Sequence, residues 1–240
     1  MTVEATTEKP VQPRPAVPVR DAATLILIDR SGAVPKVLLG RRHHSLRFMP
    51  GKYVFPGGRL EANDHLMPAI GQLDPRAEAR LLRQVARPSR ALARGLALAA
   101  IRETCEETGL LIGTKRDDAP VTPDRPWQAF AQARVYPDLT SLYFIARVIT
   151  PPRQSLRFDT RFFVTDATMI AHRIDGITGP DAELVELVWL PIAETARLDI
   201  AQVTHVVLRW LEARITAGMS HDLAVPFYRT THRGFMRDLL

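Results

Sequence analysis

The sequence predicts an α/β fold in which helices cover both faces of a mixed β-sheet, and three observations carry that expectation. Short apolar runs of strand character stand before, between and after helical stretches, an alternation that stacks helices against a partly parallel sheet. At 240 residues and 46% hydrophobic content the chain is long enough to close a full core without a disulfide or a structural metal. Residues 199–216 carry Val203, Val207, Trp210 and Leu211 at the spacing of an amphipathic helix, which supplies one of the covering layers.

Residues 1–20, with Pro10, Pro13, Pro15 and Pro18 among polar neighbours, hold too little apolar surface to order themselves and read as a flexible tail. Residues 22–29 and 36–39 are apolar runs separated by Ser31-Gly32, a pair of neighbouring strands. A brief extended stretch, 53–55, runs into Pro56-Gly57-Gly58, a strong chain break. From 74 to 109 the pattern is helical and rich in Ala, Leu and Arg. Pro88-Ser89 splits it in two, with Ser89 as N-cap of the second helix and Gly109 just past its end. Residues 122–135 form a shorter helix with Pro126 in its first turn and Trp127, Phe130 and Ala131 on one side. Strands are expected at 142–150, 161–165 and 184–190, before the closing helix.

Composition narrows the function classes. Cys105 is the only cysteine, so no intramolecular disulfide framework exists, and a reducing, cytoplasmic compartment is the expectation. No run of 18 or more apolar residues is present, which argues against a membrane partner, and the N-terminus lacks the apolar core of a secretory signal. The net charge of +6 comes from scattered arginines rather than one basic tract, which argues against a nucleic-acid partner and fits a small phosphorylated substrate.

The chemistry concentrates in Arg102-Glu103-Thr104-Cys105-Glu106-Glu107-Thr108-Gly109-Leu110. On a helix, Glu103, Glu106 and Glu107 stand at i, i+3 and i+4 and project three carboxylates from one face within a turn. Like charges at this spacing repel by roughly 0.2–0.5 kcal/mol per pair. The macrodipole disfavours negative charge in a last helical turn by roughly another 0.3–1 kcal/mol each. A local rule broken this way points to a functional site, and a divalent cation resolves the conflict, because Mg²⁺ takes hard oxygen ligands and bridges to substrate phosphates. The residues alone leave a second reading open, a solvated acidic patch paired with nearby arginines.

This stretch resembles the second half of the Nudix box, G-x5-E-x7-R-E-U-x-E-E-x-G-U with U a bulky aliphatic residue. Arg102, Glu103, Glu106, Glu107, Gly109 and Leu110 fall on its fixed positions. Upstream, Phe55-Pro56-Gly57-Gly58-Arg59-Leu60-Glu61 is similar to its start, with Gly58 as the first glycine and Asp64 where the family has Glu; Thr104 replaces the aliphatic residue. Between Asp64 and Arg102 lie 37 residues where the family has 7, so about 30 are inserted, a change that loop-closure entropy tolerates. The resemblance implies a Nudix α/β/α sandwich over residues 21–240, with the insertion, about 65–95, folded as a helical hairpin.

A second resemblance lies in Leu38-Leu39-Gly40-Arg41-Arg42-His43, Arg47, Gly51 and Phe55-Pro56-Gly57-Gly58, which is in register with the upstream signature of Nudix coenzyme A diphosphatases, the group that includes the Nudix type 19-like enzymes. Gly40 and His43 depart from the Thr and Ser or Ala of that signature. Together the two resemblances imply a Mg²⁺-dependent hydrolase, with Mn²⁺ as substitute, that cleaves the diphosphate of coenzyme A or an acyl derivative. They assign Glu103, Glu106, Glu107 and the Gly58 carbonyl to the metal, Glu106 and Glu107 to the chemistry, Arg102 to orienting a neighbouring carboxylate, and Arg42, Arg47 and Gly57 to the substrate. The rivals are a Nudix enzyme acting on ADP-ribose, NADH or capped RNA, and a non-catalytic module that senses a nucleotide or binds nucleic acid. A homodimer is left open, as are Glu183 and Glu186 as extra site groups. Cys105, set beside glutamates, is not expected to act as a thiol nucleophile. Arg76, Arg80, Arg83, Arg87, Arg90 and Arg94 read as a solvated basic face on the insertion.

Overall fold

The computed structural model describes residues 17–152, 154–231 and 234–240. Of the expected tail, residues 1–16 lie outside the described residues, while Val19 and Arg20 already belong to the first strand.

In chain order the elements are β1 (Val19–Asp29), β2 (Lys36–Arg42), β3 (Tyr53–Val54), β4 (Gly57–Arg59), α1 (Pro75–Leu81), α2 (Arg90–Thr108), β5 (Leu110–Ile112), β6 (Thr114–Lys115), α3 (Gln128–Ala133), β7 (Val135–Tyr136), β8 (Tyr143–Ile149), β9 (Arg157–Asp166), β10 (Ile170–Arg173), β11 (Leu184–Pro191), α4 (Gln202–Thr216), β12 (Pro226–Thr231) and β13 (Gly234–Leu239). Among the described residues nine strands form one mixed sheet in the order β11-β2-β1-β9-β8-β12-β13, with β3 beside β2 and β4 beside β1. The β1–β9 and β8–β12 pairs are parallel and the others antiparallel.

The central strand β1 shows how the layers arise. Ala23, Leu25 and Leu27 pack with α1 and α2 on one face, while Ile26 and Ile28 pack with α4 on the other, the two-residue alternation of a strand buried on both sides. The α/β/α sandwich is therefore the observed architecture. Val207, Leu208 and Leu211 of α4 cover one face; Ala97, Ala100 and Ile101 of α2 cover the other.

The inserted segment is helical, with unequal arms. A 3-10 turn at Asp64–Leu66 leads to the seven-residue α1, and the second arm is the N-terminal part of α2 itself. Asp74 caps α1, its side chain accepting from the Arg76 N–H. The helix ends well before Pro88, and Arg147 on β8 donates to the Arg83 and Gln84 carbonyls just beyond it. The expected basic face is only partly solvated. Arg76 pairs with Asp74 and Asp222, Arg80 donates to the His221 and Asp222 carbonyls, and Arg94 donates to the carbonyls of His65 and Met67. The insertion is thus bolted to the segment between α4 and β12. The helix expected over 122–135 is a 3-10 turn, Arg125–Trp127, running into α3, with Trp127 and Phe130 fully buried. Among the described residues no helix is long and apolar enough to cross a membrane.

Candidate active site

The helix α2 positions the acidic cluster and is fixed at both ends. The Ser89 hydroxyl accepts from the Leu92 N–H at 3.1 Å, and Gly109 closes the helix with φ 74, its N–H donating to the Cys105 carbonyl at 2.8 Å. A side chain at Gly109 would be strained there and would also collide with the Ile174 carbonyl.

Glu103, Glu106 and Glu107 leave the last turns of α2 toward the turn at Gly57-Gly58. That turn is held against the centre of the sheet by the pairing of β4 with β1, Gly57 opposite Thr24 and Gly58 opposite Ala23. The Glu103 carboxylate lies so close over Gly58 that a Cβ there would collide with both of its oxygens. Glu107 accepts from the Gly57 N–H at 3.0 Å. That N–H, in the residue assigned to the substrate, is therefore committed to Glu107, and the lack of a Cβ at Gly58 is what lets Glu103 approach.

Arg102 organises the cluster from behind. Its guanidinium is 2% exposed and spends its donors on four groups. Nε and Nη2 reach the two oxygens of Asp64 at 2.7 and 3.2 Å, Nη1 reaches Glu103 at 2.9 Å and Glu106 at 2.6 Å, and Nη2 also reaches the Arg59 carbonyl at 2.8 Å. Asp64, 1% exposed, accepts in addition from the Glu61 N–H. The two halves of the motif, parted by the insertion, are joined by this buried fork, and the shortened carboxylate at 64 still reaches its partner. Burial opposes the charge on Arg102, but its bonds to Asp64 and the fields of Glu103, Asp64 and Glu106 outweigh it and hold the guanidinium protonated.

The carboxylates are under-compensated. Burial pushes Glu103 up to about 7 despite Arg102 beside it. Glu107 is pushed well above the usual carboxylate range by burial, and then by the charges of Glu183 and Glu103. Glu106 is raised by burial, with Arg102 pulling it back. Cys105 is buried and its thiol is pushed up to about 12, by burial and then by Glu106, in keeping with an unreactive residue.

Among the remaining expected residues, Arg42 is brought close. It pairs with Glu183 at 3.0 Å and donates to the Phe48 carbonyl, and both Arg42 and Glu183 act on the charge of Glu107. Arg47 is exposed and makes no contact with the cluster among the described residues. Glu186 points elsewhere, accepting from Tyr53 and Arg41. Sequence reasoning missed the Asp64–Arg102 fork and the Arg42–Glu183 pair. The first was signalled only by the motif position of Asp64, and the second depends on the β2–β11 register, in which Arg42 lies opposite Leu184.

The donor set suits a hard divalent cation. Three carboxylates share one helical turn, and Glu103 Oε2, Glu106 Oε1 and Glu107 Oε1 have no hydrogen-bond partner among the described residues. Among those residues no three acid, imidazole or thiol side chains converge on one point, and Arg102 lies between Glu103 and Glu106. A wider open cleft of about 780 Å³, lined by Lys115, Arg116, Asp117, Asp118 and Arg134, includes none of the cluster residues.

No protein-family model matches the sequence. Among solved structures, the chain is similar to a NUDIX hydrolase from Alicyclobacillus acidocaldarius, at 30% identity and a TM-score of 0.63 over 86% of this chain and 97% of that one. It also matches the NUDIX domain of Shewanella oneidensis NrtR, solved with ADP ribose, at 14% identity and a TM-score of 0.47 over 82% of this chain and 89% of that one. A MutT protein from Bacillus halodurans matches at 13% identity and a TM-score of 0.46, over 92% and 98% of the two chains.

Proposed function

The chain belongs to the Nudix hydrolase family, and from that premise we propose that it cleaves the diphosphate bond of a nucleoside diphosphate joined to a second group, with coenzyme A or an acyl derivative as the substrate. The observation that carries the reading is the seating of Glu103 and Glu107 on the Gly57-Gly58 turn, with burial holding both acids above their ordinary range. Glu103, Glu106 and Glu107 are the residues that would hold Mg²⁺ or Mn²⁺, which when bound supplies Lewis acidity toward a phosphoryl oxygen. Glu106, 39% exposed, is open to an attacking water, whereas Glu107 is enclosed; Glu106 is accordingly the group that takes the proton from that water. Arg102 sets the rotamers of Glu103 and Glu106 and is a positioning residue. Arg42, 13% exposed beside Glu107, offers a guanidinium to a phosphate oxygen, and Glu183 holds it in place.

The test is a panel of diphosphate substrates, coenzyme A, acyl derivatives, ADP-ribose, NADH and a capped RNA, assayed with and without Mg²⁺ and Mn²⁺. Metal-dependent release of a phosphopantetheine fragment and an adenosine bisphosphate from coenzyme A is expected. Glu106→Gln should lower that turnover by roughly a hundredfold or more while leaving the melting temperature intact. Absence of metal-dependent cleavage across the whole panel overturns the reading, and near-normal turnover by Glu106→Gln removes that residue from the proton transfer.

A further inference from the structure

A second feature lies on the same face of α2, three turns before the carboxylates. Leu92 and Glu103 are eleven residues apart, as are Gly95 and Glu106. Three helical turns take about 10.8 residues, so each pair points in nearly the same direction, roughly 16 Å apart along the axis. The strand and loop from Gly58 to His65 run over this stripe. Gly58 lies against Glu103 at one end, and at the other a Cβ on Gly95 would meet Leu60 at 3.0 Å and His65 at 3.5 Å. Between the loop and the first turns of α2 a cleft of about 230 Å³ opens, lined by Leu60, Glu61, Ala62 and His65 on one side and by Ala91, Leu92 and Gly95 on the other.

The cleft is braced rather than incidental. Arg94 clamps the His65 and Met67 carbonyls at 3.0 and 2.6 Å, and Arg102 clamps Arg59 and Asp64 on the same loop. One wall, Ala91 to Gly95, is the N-terminal end of α2, within the stretch that parts the two halves of the motif. The lining is mostly aliphatic, with the His65 imidazole as its single ring and no Phe, Tyr or Trp. An engineered apolar cavity of about 150 Å³ holds benzene, so this volume suits an acyl chain of about six to eight carbons. Glu61, close enough to add to the charge felt by Glu106, marks the way from the carboxylates to the cleft and can accept from amide N–H groups passing it.

We propose that this cleft binds the apolar end of a long arm carried by the diphosphate substrate, an acyl group on an amide-containing chain that spans the 16 Å or so from the carboxylates. The assignment rests on the diphosphatase reading above, and names the part of the substrate that lies away from the nucleotide.

The test separates the two. Binding of S-octanoyl-pantetheine, an arm without nucleotide or phosphate, is measured by titration calorimetry on the wild type and on Ala91→Trp and Ala62→Trp, which fill the cleft from opposite walls at exposed positions. Saturable binding by the wild type, weakened at least tenfold in both variants, is expected. In parallel, the ratio of KM for octanoyl-coenzyme A to KM for coenzyme A should rise about tenfold in the variants. No binding of the arm by the wild type, or equal binding by wild type and both variants, overturns the assignment. Arm binding that is lost in the variants, found in a protein that hydrolyses none of the diphosphates, supports the cleft and overturns the diphosphatase reading instead.

Discussion

At the scale of single residues, the Arg102 fork decides how the site is held. Asp64 is 1% exposed and its carboxylate faces a guanidinium that is itself 2% exposed, so removing either partner strands a buried charge. Such a break costs about 3–5 kcal/mol. Arg102→Lys keeps the charge but loses the planar donors that serve Asp64, Glu103, Glu106 and the Arg59 carbonyl together. It should lower the melting temperature by several degrees, at roughly 2–4 °C per kcal/mol for a chain of this size, and reduce kcat more than it raises KM. A melting temperature equal to the wild type's would show that the fork does not bear on stability. Cys105 gives a plainer check. With its thiol buried and pushed up to about 12, the folded protein should resist alkylation by iodoacetamide at neutral pH and react at once when unfolded.

At the scale of elements, α2 joins both halves of the motif to the sheet, and its two ends differ in what they tolerate. Ser89→Ala removes one capping bond and should lower stability by about 1 kcal/mol. Gly109→Ala meets both a backbone at φ 74 and the Ile174 carbonyl, so its loss in a denaturant titration should be clearly the larger; the reverse order would mean that the end of the helix relaxes freely. These ends were legible in the sequence, because capping is written in residues next to one another. The same holds for β1, β2, β11 and the carboxylate stripe, each set by local period. What was not legible depends on partners distant in the chain. The residues just beyond α1 turn aside where Arg147 takes the Arg83 and Gln84 carbonyls. The hairpin of β12 and β13 has a mostly exposed outer strand in which Phe235, Met236 and Leu239 face outward, with no alternation to announce it. From the basic face expected on the insertion, Arg80 is taken by the His221 and Asp222 carbonyls and Arg76 by the Asp222 carboxylate in the loop after α4, a docking no local pattern encodes.

At the scale of the whole molecule, a chain of net charge +6 keeps a set of buried acids that its arginines only partly neutralise, and this ties stability to pH and to divalent metal. The Glu103 carboxyl sits at about 7 in the folded protein against an ordinary 4.5, so the folded state binds the proton more tightly than the unfolded one. Its contribution is complete below 4.5 and is lost as pH rises toward and through 7, with Glu107 acting in the same sense. His221, stacked on Tyr143 and pulled by burial below its ordinary 6.5, works in the opposite direction, an effect that fades over about one pH unit above 6.5 and is smaller there than that of Glu103. Between pH 6.5 and about 8 the metal-free protein should therefore lose on the order of 1 kcal/mol from Glu103 alone, seen as a melting temperature falling by a few degrees. Mg²⁺ binds the deprotonated carboxylates, so the stabilisation it brings should be larger at about pH 8 than at pH 6.5. In Glu103→Gln both the pH slope and the metal-dependent shift should shrink together. A metal-free melting temperature that rises across this interval, or a Mg²⁺ shift equal at both ends of it, would mean that the charge deficit on α2 is not what the cation relieves.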